Sequence, residues 1–160
     1  MDWAAVNSIM FVCHGNICRS IMAECVMSWL LSDSGLDVLV ASSATSTEEI
    51  GNPIYPPALS ELRRHGVPVL PHHAVQLRRA DLDKYDVFLG VDSANVRNML
   101  RILGPAAEGK CFRLLDFTDN PRDIADPWYY GRFDETWRDV LEGCQRLLHL
   151  LQSARNYMGK

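Results

Sequence analysis

No stretch of this sequence approaches the ~20 consecutive apolar residues that a membrane-spanning helix needs. The segment Met1 to Val12 has no Lys or Arg ahead of its brief apolar run, which does not fit the pattern of a secretory signal. A cytoplasmic location with no membrane partner is therefore expected. Base is scarce as well: the formal net charge is −4, whereas binding nucleic acid needs a concentrated basic patch to neutralise phosphates. The short pairs Arg63-Arg64 and Arg78-Arg79 read as solvated helix faces rather than as such a patch. The five cysteines, an odd number, contain no CxxC spacing and have no histidine pair at metal-ligand spacing from them. A disulfide framework and a zinc site are both disfavoured, so no metal and no cofactor is expected. Also missing are internal repeats, low-complexity tracts and any shift of composition that would mark a linker. At 160 residues the expectation is a single domain over 1–160, large enough to bury a core unaided.

Hydrophobic residues make up 48% of the chain and charged residues 22%, without runs, which places it among globular rather than disordered proteins. The apolar run Ile9-Met10-Phe11-Val12 stops at a Gly-Asn pair and predicts a buried strand followed by a tight loop. From Ser20, apolar positions recur at helical spacing through Ile21, Met22, Cys25, Val26, Trp29 and Leu30, with Ser20 a candidate cap and Gly35 a stop. Further strands are predicted at Val38–Val40, Val87–Val91 and Cys111–Leu115, and helices at Ala58–His65, Ala94–Leu103 and Asp134–Ala154. Strands apolar on both faces, alternating with helices, imply an α/β fold of three layers, α/β/α, built on a parallel sheet. Ligands of such sheets bind at the carboxyl ends of strands, so the loop after the first strand is the place to search.

That loop is Val12-Cys13-His14-Gly15-Asn16-Ile17-Cys18-Arg19-Ser20. A helix N-terminus offers unpaired N–H groups and the positive end of a dipole, a ready site for an anion. Gly15 and Asn16 are residue types that tolerate left-handed backbone, which turns successive N–H groups inward. Arg19 can grip two oxygens of a bound phosphate with its planar fork. Cys13, at the strand end, then sits beneath the anion, where helix dipole and guanidinium both favour the thiolate, the nucleophilic form. Ser20 can donate a hydrogen bond to that thiolate. Cys25, Cys111 and Cys144 fall on apolar faces or in a strand and read as inert core residues.

The segment Asp116 to Phe133 is long for a structureless connection, and such loops are usually functional. It carries Asp126-Pro127-Trp128-Tyr129-Tyr130. Asp126 could protonate a departing phenolate while the aromatics wall a slot for a ring. An Asp-Pro turn whose aromatics fold onto the core is the rival reading, and spacing alone leaves both open.

The Cys13-to-Ser20 loop and the Asp126-Pro127-Trp128-Tyr129 run together resemble the low-molecular-weight protein tyrosine phosphatase family. Ser42 to Thr47, Ile50-Gly51-Asn52-Pro53, His72, Ala74, Gln76, Asp92 and Asn95 extend the likeness, which covers about Ile9 to Leu151. The resemblance implies a four-stranded parallel sheet with the phosphate-binding loop after its first strand. It implies that Cys13 forms a phosphocysteine, that Arg19 and the amides of His14, Gly15, Asn16, Ile17 and Cys18 hold phosphate, and that Asp126 is acid and then base. Asn16, Ser42 and His72 would support the loop, Trp128 and Tyr129 would wall the substrate slot, and Cys18 would trap an oxidised Cys13 as a reversible disulfide. The implied partners are phosphotyrosine-bearing proteins, with inorganic phosphate as product.

Ile21 stands where many members have proline, Glu48 where a slot-wall aromatic is common, and Val75 where a basic residue is usual. His14 fills a variable position and should face outward. Three rivals share parts of the pattern. Phosphoarginine phosphatases have a threonine where Ile17 stands, and thiol-dependent arsenate reductases need further cysteines on a mobile segment, of which Arg78 to Val96 holds none. The third is a phosphopeptide-binding module that does no chemistry, against which Cys13, Arg19, Ser20 and Asp126 argue together. A nucleotide P-loop is excluded, since no Gly-Lys-Ser/Thr follows the glycine.

Overall fold

A run of apolar residues without alternation suits a strand with no wet face, and β1 (Ser8–Cys13) is buried along its whole length. In the computed structural model, which describes residues 1–158 and side chains as far as Asn156, β1 lies inside a sheet. It pairs in parallel with β2 (Leu39–Ala44) on one side and β3 (Val87–Gly90) on the other. β3 pairs with β4 (Cys111–Arg113), giving four parallel strands in the order β2-β1-β3-β4. The chain therefore leaves β1 for one neighbour and later returns to the other, so the carboxyl end of β1 is a topological switch point.

Parallel strands need crossovers, and here the crossovers are helices that cover both faces. α1 (Arg19–Ser32), α2 (Pro56–Arg64) and α5 (Phe133–Met158) share one side, enclosing a core of Ile9, Phe11, Met22, Val26, Leu62, Val140, Leu147 and Leu151. α3 (Ser93–Leu103) covers the other with the 3-10 turn Arg79–Asp83, over Met10, Val12, Phe88, Met99 and Leu103. The close approach of α3 to β3 requires Gly90, where a Cβ would lie 2.9 Å from the sulfur of Met99 and 3.0 Å from Cβ of Asn95.

Several local expectations shift. β2 runs on through Ser42, Ser43 and Ala44, because these pair in register with Phe11, Val12 and Cys13; backbone pairing outweighs their polar character. Ser20 is no cap. α1 starts two residues earlier than a cap at Ser20 would have it, with Cys18 in the capping position, and Ser20 is fully buried inside the first turn. The segment Asp116 to Phe133 is not structureless, since it begins within a 3-10 turn (Leu114–Phe117) and holds the short helix α4 (Pro127–Tyr130). Arg63 and Arg64 do end a helix. Arg79 instead opens the 3-10 turn, with its guanidinium 3.0 Å from where a Cβ at Gly104 would stand. Cys25 and Cys144 are buried and Cys111 half-buried, all as free thiols.

Candidate active site

The loop from Cys13 to Arg19 joins the end of β1 to the start of α1, and wraps a cleft of about 130 Å³. Cys13, His14, Gly15, Asn16, Ile17, Cys18 and Arg19 line it, together with Glu48, Glu49, Asp126, Trp128 and Tyr129. Nearly all the residues singled out in the sequence therefore meet at one place, the switch point of the sheet. Ser20, Ser42 and His72 stand behind the loop rather than in the cleft.

Asn16 fixes the loop's shape. Its φ of 60° is left-handed, alone among the non-glycine residues described, whereas Gly15 has no such strain and serves by leaving room for the Glu49 side chain, 3.3 Å from where a Cβ would stand. Asn16 holds this conformation because all its polar groups are engaged. Its Nδ2 donates to Ser20 Oγ at 2.8 Å and to Ser42 Oγ at 2.9 Å, and its Oδ1 accepts from the Val75 amide at 3.1 Å. Its carbonyl accepts from His72 Nε2 at 2.6 Å, which fixes the proton on that ring nitrogen. Burial holds His72 below its ordinary range despite this bond, so the ring supports the loop uncharged.

Two groups converge on the Cys13 sulfur: the Asn16 amide, which donates to it at 3.2 Å, and the Ser20 hydroxyl, hydrogen-bonded to it at 3.0 Å. A thiolate can only accept, and both contacts are compatible with an accepting sulfur. Cys18 differs. Burial, with the nearby Cys13 and Asp126 charges, pushes its thiol up to about 12, and it stays protonated at neutral pH.

Arg19 is almost wholly buried, with 4% of its side chain exposed. Its Nη1 donates to Asp92 Oδ2 and to the Ile124 carbonyl, each at 2.8 Å, and its Nη2 lies 3.4 Å from Asp126 Oδ2. Burial opposes the charge, but Cys13, Asp126 and Asp92 outweigh it and hold the guanidinium above its ordinary value. A guanidinium has five N–H donors; with the two on Nη1 spent, those on Nε and Nη2 remain for an anion.

Asp126 caps α4, its Oδ1 accepting from the Trp128 amide at 3.0 Å. Pro127 occupies the first helical position, where its missing N–H costs nothing. The aromatics do not fold onto the core: Trp128, Tyr129 and Tyr130 are 52%, 77% and 72% exposed. Trp128 leans on Tyr55, their ring centres 4.7 Å apart, and Tyr55 stacks on Phe133. Also on the cleft lining, Glu48 Oε2 meets His14 Nε2 at 3.0 Å. No cluster of His, Cys, Asp and Glu able to hold a metal ion occurs among the described residues.

The structure gives contacts to residues for which the sequence reading assigned no role. Asp92 holds Arg19, Tyr55 supports the aromatic wall, and Glu24 accepts from Ser42 Oγ at 2.6 Å, its carboxyl pushed up by burial. A polar residue inside the otherwise apolar face of α1 was the only available signal for Glu24. Asp92, placed only by family likeness, also caps α3, accepting from the Asn95 amide.

The family model described as low molecular weight phosphotyrosine protein phosphatase matches residues 8–156. The low molecular weight protein-tyrosine-phosphatase YfkJ of Bacillus subtilis is 33% identical over 152 residues, covering 92% of this chain and 97% of that protein. PtpA of Staphylococcus aureus is 32% identical over 150 residues, covering 92% and 96%. The crystal structure of YfkJ superposes with a TM-score of 0.88 over 93% of this chain and 96% of its own. That of SP-PTP, a low molecular weight protein tyrosine phosphatase from Streptococcus pyogenes, superposes with a TM-score of 0.83 at 33% identity, over 95% and 97%. With one family model matching almost end to end, and with sequence relatives and solved folds agreeing on it, this chain belongs to the low molecular weight phosphotyrosine protein phosphatases.

Proposed function

We propose that the chain removes phosphate from tyrosine side chains of proteins through a phosphocysteine intermediate, with Cys13 as nucleophile, Arg19 as phosphate clamp and Asp126 as general acid and base. The observation that carries this reading is the convergence of the Asn16 amide and Ser20 hydroxyl on the Cys13 sulfur, with Arg19 and Asp126 lining the same cleft.

The Cys13 thiolate attacks phosphorus, forming an S–P bond as the bond to the tyrosine oxygen breaks. Asp126 gives its proton to that oxygen, so a phenol rather than a phenolate departs. A water then attacks phosphorus, losing a proton to the Asp126 carboxylate, and the S–P bond breaks to release inorganic phosphate and the thiolate. The free N–H groups of Arg19 and the inward loop amides carry the charge on the equatorial oxygens through both steps. His14, Gly15, Ile17 and Cys18 shape the loop, and Asn16, Ser20, Ser42 and His72 keep it in register. Ile17, 8% exposed, together with Trp128 and Tyr129, gives the cleft an apolar lining suited to an aryl ester.

We place this activity in the cytoplasm, carried by one domain; no helix among the described residues is long and apolar enough to cross a membrane. The experiment is hydrolysis of phosphotyrosine, phosphoarginine and phosphoserine peptides without added metal, with Cys13→Ser as control. Cys13-dependent release from phosphotyrosine alone is expected. Release from phosphoarginine in preference, or turnover surviving in the Cys13→Ser variant, would overturn the reading.

A further inference from the structure

Two adjacent carboxylates, Glu48 and Glu49, line the cleft together with Trp128 and Tyr129. Glu48 is solvent-exposed and held only by His14, itself 52% exposed, at 3.0 Å. Glu49 is fixed more firmly, with one oxygen accepting from Asn52 Nδ2 at 2.6 Å and its stem lying over Gly15. Among the described residues Arg19 is the only Lys or Arg lining the cleft, and it is buried, with its Nη1 bonded to Asp92. The cation of the site therefore lies at the floor, where phosphate binds. The exposed charge at the mouth is negative.

A phosphotyrosine side chain reaching the floor must lay its neighbouring residues across this mouth. We infer that Glu48 and Glu49 determine sequence preference, favouring phosphotyrosines with Lys or Arg beside them and disfavouring acidic flanks. The inference rests on the phosphotyrosine reading above. An incoming Lys or Arg replaces His14 as the partner of Glu48, and an Arg can bind its carboxylate with two parallel hydrogen bonds. The oxygen of Glu49 not engaged by Asn52 offers a second, pre-positioned acceptor. An acidic flank meets the same two charges with repulsion, and such pairs discriminate among partners more than they add affinity. Because Glu48 is exposed and Glu49 only half-buried, the preference weakens as salt screens these charges within a Debye length of about 10 Å at 0.1 M.

The test compares kcat/KM for three phosphotyrosine peptides that differ only in Lys, Ala or Glu on either side of the phosphotyrosine, at low and high ionic strength. The wild-type protein should prefer the Lys peptide to the Glu peptide by about three- to tenfold at low salt, and the ratio should contract at high salt. In the double variant Glu48→Gln/Glu49→Gln the ratio should approach one. Taking it within each variant cancels any general change in turnover. Asp37→Asn/Glu108→Gln removes the same charge from exposed positions outside the cleft and should keep the wild-type ratio. Equal rates on the three peptides, a ratio unmoved in the Glu48→Gln/Glu49→Gln variant, or equal loss in both double variants would each overturn the inference while leaving phosphotyrosine hydrolysis standing. Failure to hydrolyse any of them would overturn the phosphotyrosine reading itself, and this inference with it.

Discussion

Nη1 of Arg19 lies 2.8 Å from Oδ2 of Asp92, so the guanidinium that faces the phosphate-binding loop is aimed from the far side by a residue at the start of α3. The two are 73 positions apart in sequence, and the bond ties the start of α1, which follows β1, to the residue that opens α3 after β3. Removing the Asp92 charge leaves the buried cation with the Ile124 carbonyl on Nη1 and the Asp126 carboxylate 3.4 Å from Nη2, so the guanidinium loses the partner that aims it from the α3 side.

Asp92→Asn tests this cleanly. Asp92 also caps α3 through Oδ1, and an asparagine keeps that acceptor while losing the charge. We expect phosphate inhibition and KM for phosphotyrosine peptide to weaken by about tenfold, the scale of one charge-assisted hydrogen bond. Thermal stability should change far less than in Asp92→Ala. Unchanged phosphate affinity in Asp92→Asn would separate Asp92 from Arg19 positioning.

Asp126 governs the departing oxygen in the proposed chemistry, so its removal should depend on the leaving group. Asp126→Asn keeps a side-chain acceptor for the Trp128 amide but has no proton to give. Turnover of phosphotyrosine, whose phenol leaves poorly without a proton, should fall by about 10²- to 10⁴-fold. Turnover of an aryl phosphate with a strongly acidic phenol should fall much less. Equal losses on both substrates would assign Asp126 to binding rather than to proton transfer.

The elements most legible in the sequence were those whose burial repeats with a period: β1 as an unbroken apolar run, α3 and α5 as amphipathic stripes. Their ends and their polar members were less so, for a physical reason. Ser20 has the residue type of a helix cap, yet its hydroxyl is used by Cys13 and Asn16, partners that exist only once the loop has closed. Ser42 and Ser43 look like loop residues because neither is apolar, and pairing with β1 makes them strand. Cys13 and Arg19 stood out because the chemistry proposed for them is bound to a local pattern, whereas for Asp126 spacing left two readings open and the family likeness chose between them. Asp92, Tyr55 and Glu24 serve the site across long sequence separations, and composition carries no trace of that.

The cysteines should differ sharply toward an alkylating reagent. Burial, aided by the Cys13 and Asp126 charges, holds Cys18 at about 12. Burial raises Cys25 to about 11, with the Leu70 backbone bond opposing and the Glu24 charge adding to it; burial alone raises Cys111 to about 11 and raises Cys144 as well. Since the thiolate is the reactive form, iodoacetamide near neutral pH should label Cys13 first, and inorganic phosphate should protect it. Peptide mapping by mass spectrometry reads the order of labelling directly. Modification of Cys18 or Cys25 at a rate like that of Cys13, or no protection by phosphate, would contradict the electrostatic assignment of the loop.

His72 makes folding stability depend on pH in a defined direction. Burial holds its ring below the ordinary value of 6.5, while the unfolded chain titrates near that value. Between the two values the unfolded chain binds a proton that the folded chain refuses, so stability falls as pH is lowered. The full contribution is present above 6.5 and is lost as pH drops through the folded value. Glu24 acts the other way at lower pH, since burial raises its carboxyl above 4.5 and the folded chain keeps a proton that the unfolded one releases. His72→Gln isolates the histidine, because glutamine can still donate to the Asn16 carbonyl but does not titrate. Melting temperatures taken between about pH 7 and pH 5 should fall more steeply for the wild-type protein than for His72→Gln, whatever the offset between them. Parallel curves would mean that His72 is as free to take up a proton in the folded chain as in the unfolded one, and that its bond to Asn16 is not made by a neutral ring.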